Sequence, residues 1–162
     1  MEKSYIKYIR DMVGDKMVML ISTAVVIVND KNQILLQKRS DNKLWGLPGG
    51  LIELDETIEE CAIREVKEET NLDIEIINYI GVFVNPMMRW RENDKAKVYG
   101  FGFVGNIIGG ELKINDSESL ELKYFDYKAI PVIHSKDNKD IIDAYYRNKY
   151  NSVEGKYYDG NG

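Results

Sequence analysis

Residues 57–70 form the segment that most constrains the fold, because independent signals at both of its ends predict one helix. Thr57 opens the segment and Glu60 follows three positions later, which is the spacing of a capping box at a helix N-terminus. Asn71 stands just beyond the segment, where a residue in the left-handed conformation commonly ends a helix. The sequence therefore predicts a helix that ends at Thr70 and is bounded by its own capping residues.

Three carboxylates share one face of this helix. Glu65, Glu68 and Glu69 stand at positions i, i+3 and i+4, so at about 100° per residue they fall within one arc of about 100°. Like charges at these spacings repel each other and destabilise an isolated helix. Clustered carboxylate oxygens are the ligands that Mg²⁺ and Mn²⁺ prefer. The cluster therefore predicts a metal site, and the alternative is a solvated acidic helix face.

The apolar residues of the helix place this acidic face at the edge of the core. Ile58, Ala62 and Val66 project at about 20°, 60° and 100° from Glu65 by the same helical arithmetic. The carboxylates therefore border the stripe that the helix buries. A partly desolvated acidic cluster is where metal binding and shifted pKa values are expected.

The spacing of these residues resembles the signature of the Nudix hydrolase family. That signature is a glycine, five residues, a glutamate, seven residues, Arg-Glu, an aliphatic residue, any residue, Glu-Glu, any residue, a glycine and an aliphatic residue. Eight of its nine specified positions agree with this chain, namely Gly50, Glu56, Arg64, Glu65, Val66, Glu68, Glu69 and Leu72. Asn71 replaces the last glycine, and since asparagine also adopts the left-handed conformation, we expect the fold and the metal site to survive.

The resemblance implies both a fold and a reaction. The fold class is α/β (α+β), specifically a Nudix-type α/β/α sandwich with a mixed β-sheet. The reaction is a hydrolysis that depends on Mg²⁺ or Mn²⁺ and cleaves the diphosphate of a nucleoside diphosphate linked to another moiety, releasing a nucleoside monophosphate. Oxidised nucleoside triphosphates and nucleotide sugars both stay open as substrates. A non-catalytic ligand-sensing domain and an RNA 5′-end pyrophosphohydrolase are the alternative functions.

The resemblance also implies which residues form the site. The implied metal ligands are the carbonyl of Gly50 and the carboxylates of Glu65, Glu68 and Glu69. The implied catalytic residues are Glu65, Arg64 and Glu56. Glu65 is also a candidate general base, although family members differ in where that base lies. Arg64 is expected to orient a carboxylate, Glu56, through a bidentate ion pair.

Five residues outside the helix are candidates for substrate binding. Arg39 is expected to reach either a substrate phosphate or a helix carboxylate, and Trp45 is an aromatic residue that could stack on a base. Arg89 and Trp90 stand in an apolar and basic stretch that we interpret as a substrate-closing loop, with an irregular surface loop as the alternative. Glu118 stands in a downstream region where some relatives have a further base or ligand. The neighbouring Glu121 is an equal candidate there, and His134, the only histidine, is interpreted as structural or exposed.

The resemblance implies a Nudix domain over residues 17–148, and we expect an N-terminal helical segment (1–16) before it and a flexible tail (149–162) after it. The apolar pattern predicts a short helix from Tyr5 to Val13 that stops at Gly14, and a final helix over Asp137–Tyr150. It also predicts a β-hairpin of Ala24–Val28 with Ile34–Gln37, and three later strands, Ile74–Val84, Lys97–Asn106 and Leu120–Tyr127. Asn85-Pro86 is interpreted as a turn.

Composition limits the partners. The 162 residues fit one domain, and their net charge of −5 argues against DNA binding. Eight acids and two bases between Gly50 and Leu72 give that segment a charge of −6, so the acidity is local and does not exclude a phosphate ligand. The single cysteine, the absence of a signal-peptide pattern and the lack of a 20-residue apolar run predict a cytoplasmic protein without membrane contact. A homodimer is possible.

Overall fold

The computed structural model describes residues 4–89, 94–154 and 156–158. Three helices and eight strands lie within these residues, together with a short 3₁₀ turn at Tyr127–Ala129. In chain order they are α1 (Tyr5–Val13), β1 (Val18–Ile27), β2 (Ile34–Arg39), β3 (Trp45–Gly46), α2 (Ile58–Thr70), β4 (Leu72–Arg89), β5 (Lys95–Gly110), β6 (Ser119–Phe125), α3 (Lys136–Tyr146), β7 (Ser152–Val153) and β8 (Lys156–Tyr157).

The strands form two sheets. The larger sheet has the order β1-β5-β4-β7-β8 and is mixed, because β1 runs parallel to β5 whereas β4 runs antiparallel to β5. The smaller sheet has the order β3-β2-β6 and is antiparallel throughout. Helices α2 and α3 pack on opposite sides of these strands, which confirms the expected α/β/α arrangement with a mixed sheet.

Strand β1 shows why the chain needs a helix on each side. Ala24 and Val26 belong to the core cluster that contains α3, whereas Val25 and Ile27 belong to the cluster that contains α2. Successive strand residues point to opposite faces, so an unbroken apolar run is stable only where both faces are covered. Strand β1 therefore lies between the layers that α2 and α3 form.

The predicted hairpin of Ala24–Val28 with Ile34–Gln37 is wrong. Its first strand pairs with β5 in the larger sheet and its second with β3 and β6 in the smaller one. The two meet at one isolated bridge between Val28 and Ile34. Both strands are apolar on both faces, so their pattern carries no information about which strand pairs with which.

Two further expectations change. Asn85-Pro86 was interpreted as a turn but lies inside β4, where the register shifts between Asn85 and Met88. Proline cannot donate a hydrogen bond to a neighbouring strand, and a bulge of this kind is one place where a strand accommodates it. The tail that was expected to be flexible contributes β7, which pairs in parallel with β4 and buries Ser152.

None of the helices within the described residues has the length and apolar character needed to cross a bilayer.

Candidate active site

A cavity of about 480 Å³ opens between the two sheets and the helices. Its walls come mainly from α1, the middle of β1, the end of β2, the loop that leads into α2, helix α2 itself, and the N-terminus of α3. The residues that line it are Ile6, Ser22, Thr23, Arg39, Ser40, Asp41, Leu47, Gly49, Gly50, Leu51, Glu53, Glu65, Glu69, Met88, Glu118, His134, Asp137 and Asn138. Three of the residues that the motif implies as metal ligands, Gly50, Glu65 and Glu69, are therefore together at one wall.

Helix α2 presents these carboxylates because its ends are fixed as predicted. The Thr57 hydroxyl accepts a hydrogen bond from the Glu60 amide at 3.2 Å, and the Glu60 carboxylate accepts one from the Thr57 amide at 2.7 Å. Asn71 adopts φ 60° and ψ 10°, so it ends the helix in the left-handed conformation. The capping box and the asparagine exit are both confirmed.

Glu69 is the most buried carboxylate of the helix, with 6% of its surface exposed. One of its oxygens accepts a hydrogen bond from the Gly49 amide at 2.8 Å. Burial raises the pKa of Glu69 well above its ordinary value, and the nearby negative charge of Glu65 raises it further. The folded protein therefore holds an acid in a place that disfavours its charge unless a cation joins it.

Glu65 lies beside Gly50 and is held by Arg64. Burial raises the pKa of Glu65, while the charge and the hydrogen bond of Arg64 lower it in part. The Arg64 guanidinium donates to Glu65 at 2.8 Å and to both oxygens of Glu56 at 2.8 and 2.6 Å. The expected bidentate pair of Arg64 with Glu56 is thus present. The hydrogen bonds from Arg64 lower the pKa of Glu56.

Glu68 stands apart from the other two carboxylates. Its side chain is 56% exposed and accepts a hydrogen bond from Arg64 at 3.1 Å. Across the described residues, no three His, Cys, Asp or Glu side chains come close enough together to form a metal-binding cluster. In this arrangement the helix offers two cavity-facing carboxylates rather than the three that its spacing predicts.

The wall contributed by α3 was missed by sequence reasoning. His134, Asp137 and Asn138 line the cavity, and Asn138 accepts a hydrogen bond from the Leu47 amide at 2.8 Å. Burial lowers the pKa of His134 to about 4, and the positive charge of Arg39 contributes. His134 is therefore a neutral cavity residue and not an exposed one. A local pattern could not reveal this, since the wall forms only when α3 packs against the loop before α2.

Asp137 is the most unusual residue of that wall. It is only 3% exposed, and its Oδ1 has no hydrogen-bond partner among the residues described here. Its other carboxylate oxygen, Oδ2, lies so close to Gly100 that a Cβ added to Gly100 would be 2.8 Å from it. Burial raises the pKa of Asp137.

The other predicted substrate-binding residues divide between the cavity and its surroundings. Arg39 lines the cavity but forms a bidentate pair with Asp41 at 2.8 and 3.0 Å, which was neither of the two expected partners. Glu118 lines the cavity as well, whereas Glu121 lies exposed on β6 opposite Lys38.

Trp45, Arg89 and Trp90 are the remaining three predicted substrate-binding residues. Trp45 packs edge-to-face on Phe125 with the ring centres 4.8 Å apart, so it belongs to the core around α3. Arg89 ends β4 and lines a smaller neighbouring cavity with Arg39. Trp90 lies outside the described residues.

Fold and site together define a class of protein, namely a mixed-sheet α/β/α domain whose acidic helix borders a cavity large enough for a small substrate. Comparison with known proteins is consistent with this class and narrows it. The model of the NUDIX domain matches residues 19–145. The ADP-ribose pyrophosphatase of Methanocaldococcus jannaschii is 37% identical over 124 residues, which cover 75% of this chain and 70% of that protein.

Two solved structures share the fold. An ADP-ribose pyrophosphatase from Streptococcus suis superposes with a TM-score of 0.64 at 23% identity, over 83% of this chain and 96% of that one. A MutT protein from Methanosarcina mazei superposes with a TM-score of 0.65 at 24% identity, over 82% and 96%. The chain belongs to the NUDIX family, as one of its pyrophosphohydrolases.

Proposed function

We propose that this protein is a divalent-metal-dependent hydrolase that cleaves the diphosphate of a nucleoside diphosphate linked to another group. The observation that carries the proposal is the buried carboxylate of Glu69 beside the half-buried carboxylate of Glu65, on one wall of a cavity of about 480 Å³. A diphosphate brings negative charge into a site that is already acidic. Such a site can accept it only together with cations.

The donor atoms at this wall fit a hard cation such as Mg²⁺ or Mn²⁺. The Glu65 and Glu69 carboxylates and the carbonyl of Gly50 are all oxygen ligands, which these ions prefer. Glu68, which here accepts a hydrogen bond from Arg64, would be the remaining carboxylate of the implied set. When bound, the cation neutralises charge on the diphosphate and makes its phosphorus more susceptible to attack by water.

The protein's own residues have separate tasks in this reaction. Water adds to one phosphorus, the bond from that phosphorus to the bridging oxygen breaks, and the proton of the water passes to a carboxylate. Glu65 and Glu118 both line the cavity and are the two candidates for that acceptor. Arg64 keeps Glu65 in place by donating to it at 2.8 Å while Glu56 holds the other side of the guanidinium.

Substrate turnover tests this proposal. The purified chain is assayed with ADP-ribose, a UDP-sugar, an oxidised deoxyguanosine triphosphate and a short RNA with a 5′-diphosphate end, each with Mg²⁺, with Mn²⁺ and with excess chelator. We expect release of a nucleoside monophosphate from at least one small substrate, and no release in chelator. A chain that binds these compounds but hydrolyses none would favour the ligand-sensing alternative, and turnover of RNA alone would favour the RNA-processing one.

A thermal-shift measurement gives an independent check of the metal site. A ligand that binds only the folded state raises the unfolding temperature as its concentration rises above its Kd. We expect Mg²⁺ and Mn²⁺ to stabilise the protein, while Na⁺ at equal ionic strength does not. Absence of any shift up to millimolar Mn²⁺ would contradict a preformed site.

A further inference from the structure

Helix α1 lies outside the matched NUDIX segment, yet it forms part of the cavity wall. Its first residue, Tyr5, donates its backbone amide to the Glu53 carboxylate at 2.7 Å. Near its last turn, Arg10 donates to the carbonyl of Lys95 at 2.8 Å and forms an ion pair with Asp94 at 3.0 Å. The helix is therefore fixed at one end to the loop before α2 and at the other to the start of β5.

Ile6 is the side chain of α1 that reaches the cavity. Together with Leu51 and Met88 it forms what we call the apolar strip. All three pack against the small core cluster of Leu20, Ala96 and Val98, and all three also line the cavity. Because Leu51 directly follows Gly50, the apolar strip begins beside the carboxylate wall.

The strip differs in chemistry from most of the cavity. Carboxylates, hydroxyls, an imidazole and an amide dominate the other walls, and these groups suit phosphates and sugar hydroxyls. The faces of a nucleobase are the largest apolar surfaces that a nucleotide carries. A binding site gains affinity when such a surface displaces water from apolar side chains.

We propose that the apolar strip binds the nucleobase of the substrate, which makes α1 a part of the substrate site. This inference rests on the proposed function, because it assumes a nucleoside diphosphate in the cavity. The link from Tyr5 to Glu53 holds Ile6 against the loop that carries Gly50. A base on the apolar strip would thereby lie on a wall that adjoins the carboxylate wall, because Leu51 directly follows Gly50.

Truncation of Ile6 tests the inference by binding rather than by turnover. Calorimetric titration with α,β-methylene-ADP, which resists hydrolysis, is carried out with Mg²⁺ on the wild type and on Ile6→Ala. Removing this side chain should raise the Kd about five- to tenfold, because the apolar contact with the base is lost. Met12→Ala is the matched control, since Met12 is on the same helix and 59% exposed, and its Kd should equal that of the wild type.

A probe without a base separates this role from a structural one. Methylenediphosphonate carries the phosphonate groups alone, so we expect Ile6→Ala to bind it as well as the wild type does. The inference would be overturned if Ile6→Ala bound both probes equally more weakly than the wild type, or if it bound both as tightly. If Ile6→Ala unfolds at the assay temperature, Ile6→Val gives a smaller truncation with the same two-probe comparison. A chain that shows the predicted binding difference but cleaves no diphosphate would refute the proposed function and retain this inference.

Discussion

Replacing Gly50 by alanine should displace the carboxylate of Glu65, which we propose takes part in catalysis, while leaving the fold in place. A Cβ at this position would lie 2.5 Å from Cδ and Oε1 of Glu65 and 2.7 Å from Oε2, whereas ordinary contacts begin at 3.4 Å. The carboxylate must therefore move by about 1 Å. The obstacle is the end of a side chain and not backbone, so we expect a loss of less than about 1 kcal/mol in the free energy of unfolding.

The effect on rate should be much larger than the effect on stability. A displacement of about 1 Å in a catalytic group costs on the order of 100-fold in rate, which corresponds to about 2.7 kcal/mol of activation free energy. The Gly50 carbonyl is retained in the alanine variant, so the loss is assigned to Glu65. We expect kcat to fall about 100-fold with little change in KM for the best substrate found by turnover.

The neighbouring Gly49 is the matched control. Its φ is +152°, and a Cβ there would collide with the backbone carbonyl of Thr23. Gly49→Ala should therefore lower the unfolding temperature clearly more than Gly50→Ala does. Because Gly50→Ala acts through Glu65, adding it to Glu65→Gln should cause little further loss of rate. A wild-type kcat for Gly50→Ala, or full additivity with Glu65→Gln, would refute this reasoning.

Three other variants probe the helix, the ion pair and the cavity wall. Thr57→Ala removes the cap hydroxyl and should lower the free energy of unfolding by about 1 kcal/mol in urea denaturation. Arg64→Lys keeps the charge but cannot form the bidentate pair with Glu56, so kcat should fall about tenfold. The pKa of His134 is lowered to about 4 in the folded protein and is ordinarily 6.5, so only the unfolded chain gains a proton between these values. The free energy of unfolding of the wild type, relative to His134→Asn, should therefore fall as the pH drops from 6.5 to 4, by up to about 1.4 kcal/mol per pH unit.

Each of these three has an outcome that contradicts it. Thr57→Ala with an unchanged urea midpoint would show that the cap hydroxyl contributes nothing to stability. Equal kcat for Arg64→Lys and wild type would show that the planar guanidinium is not needed to orient the carboxylates. A constant stability difference between wild type and His134→Asn across the pH range would mean that the imidazole titrates normally in the fold.

Helix α2 shows what a single sequence can establish. Its start at Thr57, its exit at Asn71 and the pairing of Arg64 with Glu56 all depend on residues close together in the chain. Capping hydrogen bonds and helical spacing are local effects, so the sequence contains the information needed to predict them. The same holds for α1, which the sequence predicts over the same residues, Tyr5 to Val13.

Pairing between distant segments could not be predicted in this way. The apolar run of β1 is compatible with a hairpin partner, but its neighbour in the sheet is β5. Val25 of β1 pairs with Phe103 of β5, which is more than 70 residues later in the chain. Trp45 could have stacked on a base, but it packs on Phe125 from another strand. In both cases the residue type fits two environments equally well, and the tertiary fold selects one.

The cavity wall formed by α3 was unpredictable for the same reason. His134 and Asp137 are ordinary polar residues at a helix start, and nothing in their neighbours along the chain distinguishes them from solvated ones. They become cavity residues because Asn138 accepts a hydrogen bond from Leu47, which joins α3 to the loop before α2. This wall of the site therefore depends on a contact that spans 91 positions of sequence.

The role of Glu69 is the central claim, and one pair of variants tests it most directly. Glu69→Gln and Glu59→Gln remove one negative charge each from the same helix, but Glu69 is 6% exposed at the cavity whereas Glu59 is exposed in the first turn. The Mg²⁺-dependent rate of monophosphate release is measured for both against the wild type. We predict a loss of at least about 100-fold for Glu69→Gln and wild-type turnover for Glu59→Gln. Equal activity of Glu69→Gln and the wild type would contradict the account.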